Sequence, residues 1–493
     1  MTYLKTEVIN LNYLLISRLI GFVLKTEAIL MLLPLLCSLI LKSGDAMYFI
    51  YTIIPLYIIG RCLNSIKPKK TTFRAREGYV TVALSWIALS LFGALPFFFS
   101  GYFGSYINCF FETVSGFTTT GSTILENVEA VPKGLLFWRS FTHWVGGMGV
   151  LVFILAIMPN LDGSTVMLLK AESPGPTPGK IVPKIKETAK ILYLIYFILT
   201  IIQVILLLIS GLPLYDSLIT AMGSAGTGGF SNMNLSIGAY NNVAAEVITT
   251  VFMLLFGINF NMYYYMLNKQ FSLVKQNEEL KLYVSIVVIA MLLIAFNIMP
   301  IYNGSFFGAL RHSSFQVATI ITTTGYATAN FDLWPTFSKV LLVILMFVGA
   351  SAGSTGGGVK VSRILIVFKA ARREIGRILH PRRVQTVKIE GSSLEDETLV
   401  NVLVFLVVYV IIIILATLIV SLDGFDVVTS LTSAIATVGN IGPGLSLVGP
   451  IGNFNMFSPL SKLVLSFCML AGRLEIFPML ILFSPKIWGK KTL

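Results

Sequence analysis

Thr118-Thr119-Thr120-Gly121-Ser122-Thr123 follows a short apolar segment and precedes a long one. The same arrangement returns at Ala225-Gly226-Thr227-Gly228-Gly229-Phe230-Ser231, at Thr322-Thr323-Thr324-Gly325-Tyr326-Ala327-Thr328 and at Ala436-Thr437-Val438-Gly439-Asn440-Ile441-Gly442. The period is about 100 residues, and each unit reads span, short helix, Gly-rich stretch, span. The common element is a small or hydroxylated residue, then Thr or Val, then Gly. A dehydrated cation needs a ring of oxygens in place of its water. Backbone carbonyls supply such a ring if the chain runs extended with its C=O groups turned inward, and Gly accepts the dihedrals this requires. Irregular backbone at membrane depth is tolerated where it lines a cavity or is buried in protein. One Gly-Thr cluster reads as a helix break; four at matched positions read as the lining of a pore. The candidate filter residues are Thr119, Thr120, Gly121, Gly226, Thr227, Gly228, Thr323, Thr324, Gly325, Thr437, Val438 and Gly439. Each short helix would aim the partial negative charge of its C-terminus at the centre, which favours a cation there. Asp216 and Asp426 lie near the starts of two of these helices and read as caps.

Outward from the repeats, spanning-length apolar stretches run over 19–41, 46–63, 78–99, 135–158, 190–212, 243–267, 281–300, 338–369, 399–421 and 458–485. Each meets the requirement of about 20 apolar residues. Two carry defects: Gly146-Gly147-Met148-Gly149 in the fourth and the small-residue run Gly349 to Gly358 in the eighth. Four pieces are too short to span and read as re-entrant, at 104–118, 213–226, 308–322 and 424–437. The fold expected is all-α and polytopic: four span–pore helix–span repeats around one pseudo-fourfold pore, plus two extra N-terminal transmembrane helices. The units are the helix pair 1–66 and pore repeats 67–165, 166–270, 271–385 and 386–493.

The composition agrees. Of 493 residues, 55% are hydrophobic and only 12% charged, with a mean hydropathy of +0.83; a soluble surface could not be kept wet with so little charge. The net charge of +13 is no sign of nucleic acid. The cations sit in short loops between spans, including Arg61, Lys67, Lys69, Lys70, Arg74 and Arg76, then Lys170, Lys180, Lys184 and Lys186, and then the 370–398 loop. All fall on one side if the spans alternate, which predicts cytoplasmic termini and re-entrant segments entering from outside. No cleavage pattern precedes the first apolar segment, so it is expected to remain in the mature protein. The scattered Cys37, Cys62, Cys109, Cys468, His143, His312 and His380 offer neither a zinc site nor a disulfide framework. An enzyme lacks a nucleophile–base or metal constellation.

Five motifs give the chain a family resemblance: Ser115-Gly116-Phe117-Thr118-Thr119-Thr120-Gly121; Trp138-Arg139-Ser140-Phe141-Thr142-His143-Trp144-Val145-Gly146-Gly147-Met148-Gly149; Thr322-Thr323-Thr324-Gly325-Tyr326; Gly353-Ser354-Thr355-Gly356-Gly357-Gly358-Val359-Lys360; and Gly439-Asn440-Ile441-Gly442-Pro443-Gly444. It resembles the Trk/Ktr/HKT superfamily of potassium transporters over nearly its whole length, and the two leading spans favour the TrkH-like branch. The resemblance implies potassium uptake through a channel-like filter holding potassium ions, with no covalent cofactor. It also implies a bacterial cytoplasmic (inner) membrane, surrounding lipid, a homodimer with one pore per chain, and a cytoplasmic nucleotide-binding ring of the TrkA type as gating partner. Gly121 leans toward potassium, because plant members with Ser there go with sodium. None of the four stretches is a full Thr-Val-Gly-Tyr-Gly, so fewer ordered sites and imperfect discrimination from sodium are expected.

Gly353 to Lys360 is no phosphate-binding loop, since Val359 stands where that motif needs Lys and the segment interrupts a span. Close helix packing through small residues is one reading. The resemblance gives another, a mobile gate beneath the filter with Gly349, Gly353, Gly356, Gly357 and Gly358, and ten small residues in a row exceed what packing needs. Arg473 lies inside the last span, where an ionisable group faces a cavity or a partner. Glu475 is the plain partner, whereas in the family an Arg here projects into the pathway below the filter. Snorkelling accounts for Lys360 and Arg363. A secondary transporter coupled to protons or sodium is the alternative function, although the spans offer few coupling carboxylates beyond Glu475.

Overall fold

The computed structural model describes residues 11–68, 75–149, 185–382 and 385–488. The lysines Lys69, Lys70, Lys170, Lys180, Lys184, Lys490 and Lys491, with Arg74, Arg383, the far end of the 135–158 stretch and the 165/166 boundary, lie outside the described residues. Among the described residues, six helices are long and apolar enough to cross a membrane: Tyr13–Leu41, Ala46–Asn64, Arg76–Ser100, Ala189–Ile209, Glu278–Tyr302 and Asp396–Asp423. The first is two pieces, α1 (Tyr13–Leu30) and α2 (Leu32–Leu41). Pro34 sits in the first turn of α2, where a missing N–H costs nothing. With α3 (Ala46–Asn64) these make the leading pair. α1 and α3 touch at Gly21 and Gly60, where a built Cβ on Gly21 would come within 2.8 Å of the Gly60 carbonyl.

Each repeat then opens with a span: α4 (Ala75–Gly93), α8 (Ile185–Ile209), α13 (Glu278–Ile298) and α17 (Asp396–Val420). A short α5 (Leu95–Ser100) continues the first of these. The outer flanks are apolar and exposed, as at Val407, Ile411, Ile414 and Leu418 of α17, which suits hydrocarbon. The short helices are α6 (Tyr106–Phe117), α9 (Leu214–Gly226), α14 (Phe306–Ile321) and α18 (Val427–Gly439). They match the four segments read as re-entrant. Ser105, Ser305 and Asp426 cap three of them by accepting backbone N–H bonds. Asp216 lies in the first turn of α9 but accepts instead from Asn232 Nδ2 at 2.7 Å.

The second helix of every repeat stops short, at Gly147, Phe256, Val348 and Arg473, and not only in the two repeats where the sequence shows a defect. α7 (Lys133–Gly147) and α15 (Thr336–Val348) stop where the sequence predicts defects. The 243–267 stretch, read as one span, is α10 (Val243–Phe256) followed by α11 (Phe260–Leu267) at 91°. The bend lies at Gly257, against which Tyr283 and Thr322 pack too closely for a Cβ, and Asn259 caps the new helix with its side chain. The 458–485 stretch is α19 (Pro459–Arg473) and a short α20 (Phe477–Ile481), parted by Glu475 and Ile476 with φ of 59° and 67°. Pro478 then starts the new turn. The remaining helices are α12 (Phe271–Gln276), α16 (Val361–Leu379) and α21 (Pro485–Trp488). One antiparallel ladder, β1 (Lys388–Ile389) with β2 (Ser392–Ser393), pairs Lys388 with Ser393.

Candidate functional site

The four short helices end alike. A 6→1 bond closes each one: Thr120 N–H to Ser115 O (2.9 Å), Gly228 to Gly223 (2.8 Å), Thr324 to Thr319 (2.8 Å) and Ile441 to Ala436 (2.9 Å). The residue before each of these donors is left-handed: Thr119, Thr227, Thr323 and Asn440, with φ of 56°, 54°, 55° and 54°. The residue after is a left-handed Gly: Gly121, Gly229, Gly325 and Gly442, with φ of 84°, 76°, 87° and 97°. Helix, left-handed turn and Gly therefore bring the chain out of the helix along the same path four times.

Those glycines close a ring. A Cβ on Gly121 would strike the Gly228 carbonyl, and one on Gly229 the Thr324 carbonyl. One on Gly325 would strike the Ile441 carbonyl, and one on Gly442 would come within 2.8 Å of the Thr120 carbonyl. The order is repeat one to two, two to three, three to four, four to one. The centre is narrow, because the same Cβ on Gly121 would lie 3.7 Å from Thr324 O of the diagonal repeat. The equivalent carbonyls are those of Thr120, Gly228, Thr324 and Ile441.

This register moves part of the sequence reading. Thr119, Thr120, Gly121, Thr323, Thr324 and Gly325 stand in matching places. In repeat two Gly226 is the last helical residue, Thr227 is the left-handed turn and Gly228 supplies the carbonyl, so Gly229 is the partner of Gly121. In repeat four Thr437, Val438 and Gly439 are still helical, and Asn440-Ile441-Gly442 form the turn and strand. The Val438-Gly439 pair imitates Thr-Gly in sequence, but the helix runs on to a residue that tolerates the left-handed region, and Asn does so readily. The signal was available as spacing: Thr or Asn, any residue, then Gly.

The seams between repeats differ. Between one and two, the buried His143 ring hydrogen-bonds Gly116 O through Nδ1 (2.8 Å) and accepts Phe230 N–H at Nε2 (3.2 Å). Between two and three, the Tyr326 hydroxyl donates to Thr220 O (3.2 Å). Between four and one, Asn440 Nδ2 donates to Thr120 Oγ1 and to Met469 O, both at 2.9 Å.

The 349–360 loop lies against the helix ends. Gly357 N–H donates to Thr323 Oγ1 at 2.6 Å, and a Cβ on Gly356 would come within 2.9 Å of Thr322 O. The loop returns to repeat two through Ser351 N–H to Gly257 O (3.1 Å), while Gly353 O accepts from Phe260 N–H (3.0 Å). Glu279 anchors both loop shoulders by accepting from Ala352 N–H (2.7 Å) and Ser362 N–H (3.1 Å). Gly349, Gly353 and Gly358 carry the left-handed turns.

Arg473 donates to Thr355 O in this loop (2.8 Å) and to Gly146 O and Gly147 O at the end of α7 (2.5 Å each). Glu475 does not pair with it. It pairs with Arg363, whose guanidinium also lies 3.9 Å from the Phe405 ring centre. Neither Arg363 nor Lys360 snorkels: both are buried, and Lys360 Nζ donates to Gly356 O. Arg473 and Lys360 thus bond backbone carbonyls at the end of α7 and in the loop that follows α15.

Fold and ring together are those of a membrane cation transport protein. The model of the TrkH family, described as cation transport protein, matches residues 46–490. The chain is 35% identical to the Trk system potassium uptake protein TrkH of Salmonella typhimurium over 486 residues, covering 97% of this chain and all of that one. It is 30% identical to the Trk system potassium uptake protein TrkG of Escherichia coli, with 96% and 98% covered. The crystal structure of the potassium transporter TrkH from Vibrio parahaemolyticus superposes with a TM-score of 0.87 at 32% identity, covering 97% of this chain and all of that one. The chain belongs to the TrkH family of cation transport proteins.

Proposed function

We propose that this chain takes up potassium across a bacterial cytoplasmic membrane through a channel-like filter, and that the Thr120, Gly228, Thr324 and Ile441 carbonyls are the inner face of that filter. The observation that carries the reading is the cyclic contact of four left-handed glycines with four equivalent carbonyls. Four helix C-termini behind the ring add partial negative charge where a dehydrated cation would rest. The relatives' names supply potassium as the ion.

The 349–360 loop is the gate in this reading, with Arg473 as its lock. Small residues let the loop change course once its hydrogen bonds are released, and a guanidinium in a narrow, low-dielectric path opposes cations. The basic side faces the cytoplasm, with both termini there, and the working form is a homodimer gated by a TrkA-type nucleotide-binding ring. The five units over 1–66, 67–165, 166–270, 271–385 and 386–493 are its structural divisions. Gly121→Ser tests the filter. In proteoliposomes the variant should admit more sodium relative to potassium, because the added Cβ displaces the Gly228 carbonyl. An unchanged ratio with intact flux would remove Gly121 from the filter. Flux that needs a proton or sodium gradient would favour a coupled transporter instead.

A further inference from the structure

Behind the ring, on the seam between repeats one and two, stands a buried ion pair. Arg139 of α7 donates through Nε to Glu112 Oε1 of α6 at 2.6 Å, and both side chains are shut off from solvent. Each partner also grips an outgoing strand. Glu112 accepts from Thr123 Oγ1 and Ile124 N–H, both at 2.9 Å, on the strand that leaves Gly121. Arg139 donates from Nη1 to Ser231 O at 2.9 Å, on the strand that leaves Gly229, and its guanidinium carbon lies 3.5 Å from the centre of the Phe230 ring. One ion pair thus ties two neighbouring strands at the same distance along each.

An ion pair is a costly way to fill such a place. Two charges taken from water regain their solvation only with every lone pair and N–H satisfied, and apolar residues of similar volume often serve stability better. What the pair adds is geometry. The guanidinium is planar and rigid, and it can meet a carboxylate, a carbonyl and a ring at once, whereas an ammonium is a single point charge. The seam between repeats two and three also carries a pair, Arg311 with Glu246, but its arginine is 35% exposed and grips no filter strand.

We propose that Arg139, held by Glu112, is a positioning residue that fixes the spacing of the first two filter strands and so part of the discrimination between potassium and sodium. The proposal rests on the filter reading above. Arg139→Lys keeps the charge balance but cannot reach Ser231 O and cover Phe230 together. The Glu112→Gln/Arg139→Gln double variant removes both charges without leaving either one alone. Purified wild type, both variants and Gly121→Ser are reconstituted in liposomes, and the sodium-to-potassium permeability ratio is read from reversal potentials. Thermal unfolding midpoints report on folding. The ratio is expected to rise several-fold in Arg139→Lys, with a midpoint near that of wild type, and at least as far in the double variant. If both keep the wild-type ratio while Gly121→Ser shifts it, the pair is a structural tie only and the proposal is overturned. If Gly121→Ser keeps the wild-type ratio as well, the filter reading itself fails and this proposal with it.

Discussion

Gly357 hangs from Thr323: the backbone N–H of the loop residue donates to the hydroxyl of the left-handed residue in the third strand, at 2.6 Å. The proposed gate and the proposed filter therefore share a hydrogen bond. A neutral bond of this kind contributes about 1 kcal/mol, enough to change a two-state population about fivefold. Thr323→Ala should raise potassium flux through the chain alone by roughly that factor, and Thr323→Ser should not. Rubidium uptake into proteoliposomes would measure both, and equal flux in the two variants would uncouple loop from strand.

In the proposed gate, Arg473 should contribute more than Thr323 to closure. It bonds three carbonyls from two different breaks, and hydrogen bonds to a charged group contribute about 1.5–3 kcal/mol each. Arg473→Ala, and separately a deletion within 352–357, should each raise basal flux more than Thr323→Ala while leaving the sodium-to-potassium ratio close to wild type. Folded variants that conduct no faster would reduce the small-residue run to packing.

The dihedral register makes its own prediction in repeat four. Gly439 is helical, and a Cβ there would meet first the movable Ile441 Cδ1 at 2.8 Å. Gly442 has a φ of 97° and faces the Thr120 carbonyl. Gly442→Ala should therefore disturb selectivity or assembly much more than Gly439→Ala. Reversal potentials of the pair decide it, and the opposite ranking would restore Gly439 to the ring.

The leading helices should be separable from the pore by mutation. Asp45, just before α3, accepts Leu135 N–H at 2.7 Å at the start of α7 and also the hydroxyls of Ser38 and Ser43. Asp45→Ala should cost about 1.5–3 kcal/mol of stability, seen as a lower thermal midpoint in detergent, with the permeability ratio unaltered. A shifted ratio would mean that the leading pair shapes the filter.

Much of this was legible in the sequence because hydrophobic length and small-residue clusters are local signals. Short helices stand at all four segments too short to span, and the left-handed turns of repeats one and three fall at Thr119 and Thr323, inside the Thr-Gly stretches that the sequence marks. What escaped depends on where a helix chooses to stop. Val438-Gly439 looked like the end of α18, yet the helix continued because Asn440 could take the left-handed turn that Thr takes elsewhere. The bends at Gly257 and Glu475 were hidden inside apolar runs whose composition alone reads as continuous. The partners of Arg363, Lys360 and Glu475 were equally out of reach, since Arg363 and Glu475 meet across 112 positions and Lys360 bonds a carbonyl turned toward it by the loop.

The unlike seams of the ring have a consequence for heredity. In a pore assembled from four identical subunits, one codon change is repeated at all four corners, and any benefit at one corner is bound to damage at the others. Here one codon touches one corner. A histidine can brace one side, a tyrosine the next and an asparagine another, so the opening can be retuned in quarter steps, with three sides unaltered while the fourth varies.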